Sequence, residues 1–409
     1  MGVPNPPKPA AIQSLVATLV RGLFFDRVTI LGAEALPAEG PILYLGLHRN
    51  GATDGFVYKA VAPRAVPLVS MQLTRGLLGR MLFRGIGVVR SKDVERYGMS
   101  AGGNQRALEE CAALLAAGGE LFVLPEGTSD LGPSHLPFRP GAARIIALAH
   151  KAGIRPVIVP LGIHYERGWA FRGRVTIVVG NPFVPHSPAG RSETQAIEYL
   201  QGLIESALVS VGINVADEAT QSRLEQTGYV AALDSPMKYF WALKAFEGGL
   251  PAAVADAWAA LDAHGRGRRL ATHHGVPVAP AGRTGGTVLG AIVTAPIVAA
   301  AAVANLPPLL AGCLVASIVA DDRNVVTFWR ILAGTPTALL YWAGVTGWLA
   351  ATGRWPWIGP FVAVTGLGLT LWRPACQMAA MSANAMFRPG LVPLFRQLRV
   401  AVREALGYG

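Results

Sequence analysis

His48 and Asp54 are the residues of this chain whose types and spacing most directly suggest chemistry. The run Pro41-Ile42-Leu43-Tyr44-Leu45 reads as a short buried strand, and His48 follows its end. A glycine-containing turn and Asp54 come next, then an apolar helical run from Phe56. An imidazole so placed can act as a general base, and a carboxylate a few residues on can fix its tautomer and stabilise the imidazolium. A strand-end histidine is more often structural, so the pair gains weight only from a second stretch, Leu121-Phe122-Val123-Leu124-Pro125-Glu126-Gly127-Thr128-Ser129. That stretch is again a strand followed by a turn. Gly127 permits close backbone approach, and Thr128 offers a hydroxyl and an N–H.

Together the two stretches resemble the glycerolipid acyltransferase superfamily, whose motifs include His, a few residues, Asp, and then Pro-Glu-Gly-Thr-Arg/Ser. Five residues, Arg49 to Thr53, separate His48 from Asp54. The commoner form has four, and His-x-Asn-x-x-x-Asp is similar to the branch of yeast-type glycerol-3-phosphate and dihydroxyacetone-phosphate acyltransferases and their bacterial relatives. The resemblance implies that His48 is the base and Asp54 its orienter. It also implies that acceptor phosphate binds near Glu126, Gly127, Thr128 and Ser129, with Glu126 holding the turn or meeting the acceptor hydroxyl or Arg90. Gly85-Ile86-Gly87-Val88-Val89-Arg90 resembles the family's second motif, and Arg139 matches a basic position of the yeast-type branch. Both arginines are therefore candidate phosphate ligands, since a guanidinium forms paired bonds to phosphate oxygens. Val159-Pro160-Leu161-Gly162 resembles the fourth motif, an apolar wall. Asp322 to Arg330 resembles a segment that follows the domain in the yeast-type enzymes. The expected donor is acyl-CoA or an acyl carrier protein, and the expected acceptor a phosphorylated glycerol. No metal or other cofactor is implied. Ser129 or Cys111 as covalent nucleophile is disfavoured, because neither sits in a nucleophile elbow.

The elements that must position these residues read as α/β. Candidate strands are 42–45, 66–70, 87–89, 121–124, 157–161 and 175–179, alternating with helical runs such as 105–117 and 141–152. Residues 27–31 read as a further short strand. The expected fold is an acyltransferase domain with a mixed central sheet flanked by helices, followed by a helical extension and a transmembrane helical region. The boundaries expected are 1–26 for an N-terminal amphipathic helix, 27–190 for the acyltransferase domain and 191–275 for the extension. The membrane region is placed at 284–372 and a basic cytoplasmic tail at 373–409. The N-terminal helix suits either a membrane surface or packing on the domain.

Hydrophobic residues make up 52% of the 409 and charged residues only 15%, too apolar for an ordinary soluble protein. The surplus is late. Residues 284–320, 331–353 and 355–372 carry no charge over 37, 23 and 18 residues, and a span needs about 20. Basic residues flank the region on both sides, which argues for an even number of spans, two or four, with both ends and the catalytic domain cytoplasmic. A soluble helical bundle is the alternative. The formal net charge of +11 suits an anionic membrane lipid or a phosphorylated substrate. Nucleic acid is not expected, since no recognised motif for it appears. Cys111, Cys313 and Cys376 show no metal spacing and fit a reducing compartment. Residues 1–9 do not read as a secretory leader. Two function classes remain, a membrane-bound O-acyltransferase for a phosphorylated glycerol or another lyso-lipid, and a non-catalytic lipid-binding relative. The retention of His48, Asp54 and the Glu126 loop favours the enzyme.

Overall fold

The computed structural model describes residues 11–74, 79, 82–89, 104–186, 190, 192–233, 235, 237–264 and 284–407. Arg90 and residues 265–283, with the basic run that follows His264 and most of the Gly/Pro-rich stretch expected as a linker over 275–286, lie outside the described residues. The chain forms two compact units. The first comprises 1–21, 28–164 and 175–214, and the second 22–27, 165–174 and 215–409.

The sheet contains β1 Phe25–Leu31, β2 Ile42–Gly46, β3 Val66–Ser70, β4 Ile86–Val88, β5 Glu120–Val123, β6 Val157–Tyr165 and β7 Gly173–Val179, in the order β1-β7-β6-β2-β5-β3-β4. The run β6-β2-β5-β3-β4 is parallel throughout. Parallel strands need crossovers, and α3 Asn104–Ala116 and α4 Gly141–Lys151 supply two of them. Strands buried on both faces should be continuously apolar, and every residue of β2 is buried. The helices bury matching stripes, such as Ala142, Ala143, Ile145, Ile146 and Ala149 on α4. The N-terminal helix α1 Ala11–Phe24 buries Ala17 and Val20, and its Arg21 Nη1 donates to Phe56 O at 3.1 Å.

Strand β6 is longer than expected, continuing through Gly162, Ile163 and His164 to Tyr165. The reason lies in a helix of the expected extension. α5 Glu193–Val211 clusters with the first unit and packs on α4. Its C-terminal end approaches β6 so closely that a Cβ on Gly162 would sit 2.2 Å from Val211 O, and His164 Nε2 lies 2.8 Å from that same carbonyl. Ser192 starts α5 with a reciprocal capping box with Gln195. The segment 191–275 is thus divided, with α5 in one unit and α6 Glu218–Ala231, α7 Lys238–Ala245 and α8 Ala252–His264 in the other.

The second unit continues with α9 Thr284–Ala304, α10 Leu306–Val319, α11 Arg323–Ala351, α12 Ile358–Phe387 and α13 Leu391–Ala405. α9 packs along α12, and α10 along α11. Glycines allow the second pairing: a Cβ on Gly312 would meet Arg330 O at 3.1 Å. Two expected boundaries move. Helix α12 runs unbroken across 372, and its Arg373 is 3% exposed, with Nη2 at 2.8 Å from Glu166 Oε2 and Nε at 3.9 Å from Asp26. Arg373 therefore does not begin a solvated basic tail. Nor is 391–405 a tail, because Leu391, Phe395, Leu398 and Val402 recur at helical spacing and are buried where α13 packs on α8 and α6.

Candidate active site

The carboxyl ends of adjacent parallel strands are where open α/β sheets build sites. β2 and β5 are such neighbours, with Leu45 opposite Val123. His48 and Glu126 each lie three residues beyond that pair, so the register carries them to the same level. The contact follows, with the His48 backbone N–H donating to Glu126 Oε1 at 2.7 Å. Glu126 Oε2 accepts from the Leu136 N–H at 2.9 Å. Both carboxylate oxygens are thus engaged by backbone, and the residue is 2% exposed. Burial pushes the Glu126 carboxyl above the usual carboxylate range, and the two N–H donors from His48 and Leu136 pull it partly back.

Asp54 occupies the first turn of α2 Thr53–Tyr58 and is fully buried. Its Oδ2 lies 2.9 Å from His48 Nδ1 and accepts the backbone N–H groups of Arg49, at 2.7 Å, and Asn50, at 2.9 Å. The five-residue separation closes because Gly51 takes a left-handed φ of 56°, with its carbonyl accepting the Asp54 N–H at 3.2 Å. An ionised Asp54 only accepts, so Nδ1 carries the hydrogen in this pair and Nε2 keeps its lone pair. That is the tautomer a general base requires. His48 itself is 9% exposed.

Further bonds hold this arrangement, and the sequence alone did not point to them. The Asp130 N–H donates to His48 O at 3.1 Å. Arg49 reaches across to the carbonyls of Gly132 and Ser134. Asn214 Oδ1 accepts the His135 N–H at 2.9 Å. The fully buried Tyr58 hydroxyl lies 2.9 Å from Leu47 O and 3.2 Å from Leu161 O, tying the end of β2 to the middle of β6. Arg49 sits inside the first motif, but spacing gives no hint that its guanidinium meets a loop more than 80 residues on. Asn214 and Tyr58 carry no local signal at all.

Of the candidate residues, His48, Asp54 and Glu126 are brought together directly. Gly127, at φ 70°, lies beside Arg139, whose Cγ would be 3.8 Å from an added Cβ, and the Arg139 N–H donates to Pro125 O at 2.8 Å. Thr128 and Ser129 continue the same turn, half-buried. Cys111 lies fully buried on α3, its thiol pushed up to about 12 chiefly by burial, which removes it as a nucleophile.

Residues 27–164 match the family model described as Acyltransferase. The segment is an acyltransferase-family domain. It contains the two stretches that end β2 and β5. The chain is 26% identical over 201 residues to a protein of Chlamydomonas reinhardtii named 1-acyl-sn-glycerol-3-phosphate acyltransferase, covering 47% of this chain and 58% of that one. It is 33% identical over 105 residues to the Saccharomyces cerevisiae protein named Glycerol-3-phosphate O-acyltransferase 2, covering 24% of this chain and 14% of that one. The chain thus spans less than two thirds of the length of either relative. The crystal structure of the Thermotoga maritima 1-acyl-sn-glycerophosphate acyltransferase aligns with 18% identity and a TM-score of 0.36, over 49% of this chain and 77% of that one. At that distance the likeness bears no argument.

Proposed function

We propose that the protein transfers a fatty acyl group from a thioester donor, acyl-CoA or acyl carrier protein, to the hydroxyl of glycerol-3-phosphate or 1-acylglycerol-3-phosphate. The observation that carries this reading is the buried Asp54–His48 pair, held level with the Glu126 loop by strand register. His48 Nε2 takes the proton of the acceptor hydroxyl as its oxygen attacks the thioester carbonyl carbon. Asp54 stabilises the imidazolium that forms. The tetrahedral intermediate collapses with cleavage of the C–S bond, the sulfur leaves, and the imidazolium returns a proton to it. An ester and a free thiol result. The acceptor phosphate is assigned to the Gly127-Thr128-Ser129 turn, to Arg139 beside it and to Arg90. The names of the two curated relatives support acceptors of this class.

The helical part of the second unit is assigned to a membrane, with two or four spans and the acyltransferase domain on the cytoplasmic side. Among the described residues one helix, Gly285–Ala304, is long and apolar enough to cross, at about 1.5 Å per residue. Only 17% of its most apolar window is buried. Leu289, Ile292, Val293 and Val303 on α9, Leu310, Leu314 and Ile318 on α10, and Leu340 on α11 all face outward. A soluble bundle would turn such residues inward, whereas a bilayer is the solvent they fit. α11 and α12 are long enough but less apolar, because Gly, Thr and Trp replace Leu and Ile along them.

An acceptor panel tests the reading. Purified full-length protein is supplied with radiolabelled acyl-CoA and, in turn, glycerol-3-phosphate, 1-acylglycerol-3-phosphate and uncharged lyso-lipids. Transfer to a phosphorylated glycerol, lost in His48→Ala, is the expected result. Transfer confined to an uncharged acceptor would overturn the substrate assignment, and no transfer to any acceptor would favour a binding protein.

A further inference from the structure

The second unit contains an apolar pocket that the proposed reaction does not use. It has a volume of about 150 Å³ and is partly open, with Ala301, Leu309, Gly334, Ala338, Trp342 and Leu369 among its lining. Small side chains create it. The helices close onto one another through glycine, Gly312 against Gly334 and Gly368 against Ala301, and no large side chain fills the space between the two pairs. Protein interiors are otherwise close-packed, so a gap of this size between packed helices is a place for an occupant. An apolar lining suits hydrocarbon better than water, and a volume of this size accommodates about six carbons.

The pocket wall carries one cation, Arg330. Its Nη1 donates to Trp169 O, while its Nε is buried and has no hydrogen-bond partner among the described residues. No carboxylate pairs with it there. Asn305, the other strongly polar residue in the wall, is already satisfied, donating to Ala301 O and Thr365 Oγ1 and accepting from Trp342 Nε1. The pocket therefore offers an apolar slot with one cation that retains donor capacity, among helices whose outer faces are apolar.

From this arrangement we infer that the pocket holds part of an acyl chain of an anionic glycerophospholipid, whose phosphate is received by Arg330. The lipid is bound as a resident of the helical unit, separately from any molecule consumed at His48. A guanidinium favours a headgroup of net negative charge over a zwitterionic one, whose phosphate charge is already balanced by its own cation.

The test uses full-length protein in phosphatidylcholine vesicles containing a probe lipid with a photoactivatable diazirine in its chain. The probe is either phosphatidic acid or phosphatidylcholine, and adducts are mapped by peptide mass spectrometry. Adducts should fall on peptides covering 301–313 and 334–342, on pocket-facing rather than outward residues. The anionic probe should label on the order of tenfold more than the zwitterionic one, the size of a charged hydrogen bond. Arg330→Gln should erase that preference. Thr335→Phe and Ala338→Phe, two independent ways to fill the slot, should each remove the adducts while the protein remains in the vesicle. Labelling that favours outward residues such as Ile318 and Leu340, or that neither filling variant changes, would overturn the site. Equal labelling by the two probes would overturn the role of Arg330. Release of the protein by a carbonate wash is a separate outcome that refutes the membrane assignment, and acyl transfer is scored independently of both.

Discussion

Replacement of Glu126 by glutamine separates a positioning role from a substrate-binding one. The carboxylate spans two backbone donors, His48 N–H at 2.7 Å and Leu136 N–H at 2.9 Å. A glutamine amide can accept only through its oxygen, so its NH2 confronts one of the two N–H groups and leaves a buried donor unsatisfied. That costs about 1–3 kcal/mol. Burial of the charge works the other way, because the Glu126 carboxyl is raised chiefly by desolvation, and a neutral amide is relieved of that cost. The net loss of stability should therefore stay within about 3 kcal/mol, a fall in Tm of up to roughly 12 °C for a domain of this size. The sign with pH follows. A carboxyl raised in the folded state contributes stability that is fully present below its unfolded pKa and is lost as pH rises through the raised value. The Tm advantage of wild type over Glu126→Gln should thus be largest in acid and shrink as pH rises above the ordinary carboxylate range. For activity, the freed His48 backbone lets the imidazole drift, and a displacement near 1 Å costs about 10²-fold. The expectation is a kcat lower by about two orders of magnitude with acceptor KM nearly unchanged. Thermal melts across pH and steady-state kinetics at saturating donor measure both. An acceptor KM that rises while kcat and Tm hold would refute the positioning argument and return Glu126 to the substrate.

Other substitutions probe the remaining assignments. His48→Ala should lower kcat by about 10²–10⁴-fold at saturating substrates with the melting profile kept, and near-wild-type turnover would remove it as the base. Arg90→Ala and Arg139→Ala should each raise the acceptor KM by roughly 10- to 150-fold with donor KM and kcat largely kept, because a phosphate contact is the same in ground and transition states. An unchanged acceptor KM in either makes that arginine a surface charge. Arg373→Met should destabilise the second unit by about 3–5 kcal/mol by leaving Glu166 buried without its closest partner, and adding Glu166→Gln should recover much of the loss. Chemical denaturation followed by tryptophan fluorescence would show whether the double variant recovers.

What the sequence determined was local. The apolar runs that became β2, β3 and β5 were legible because strands buried on both faces are continuously apolar, and the helical runs became α3 and α4 within a residue or so at each end. The residue types at the two strand ends suggested where chemistry could occur. Tertiary structure decided what those residues do to one another. Nothing between 48 and 126 states that β2 and β5 are adjacent, parallel and in a register that sets His48 level with Glu126, because strand order is fixed by the packing of crossovers far along the chain. That register sets the Glu126 carboxylate against the His48 backbone N–H, a contact that the residue types do not state. Likewise Arg49 and Asn214 act through carbonyl and amide groups of a distant loop, and backbone groups carry no side-chain signal to read. In the helical region, charge-free runs located the helices, but composition could not show that Arg373 is buried against Glu166 or that small residues on four helices leave a pocket between them. Burial of a charge and emptiness of a cavity are properties of what surrounds a residue, and the surroundings are assembled only when the chain folds.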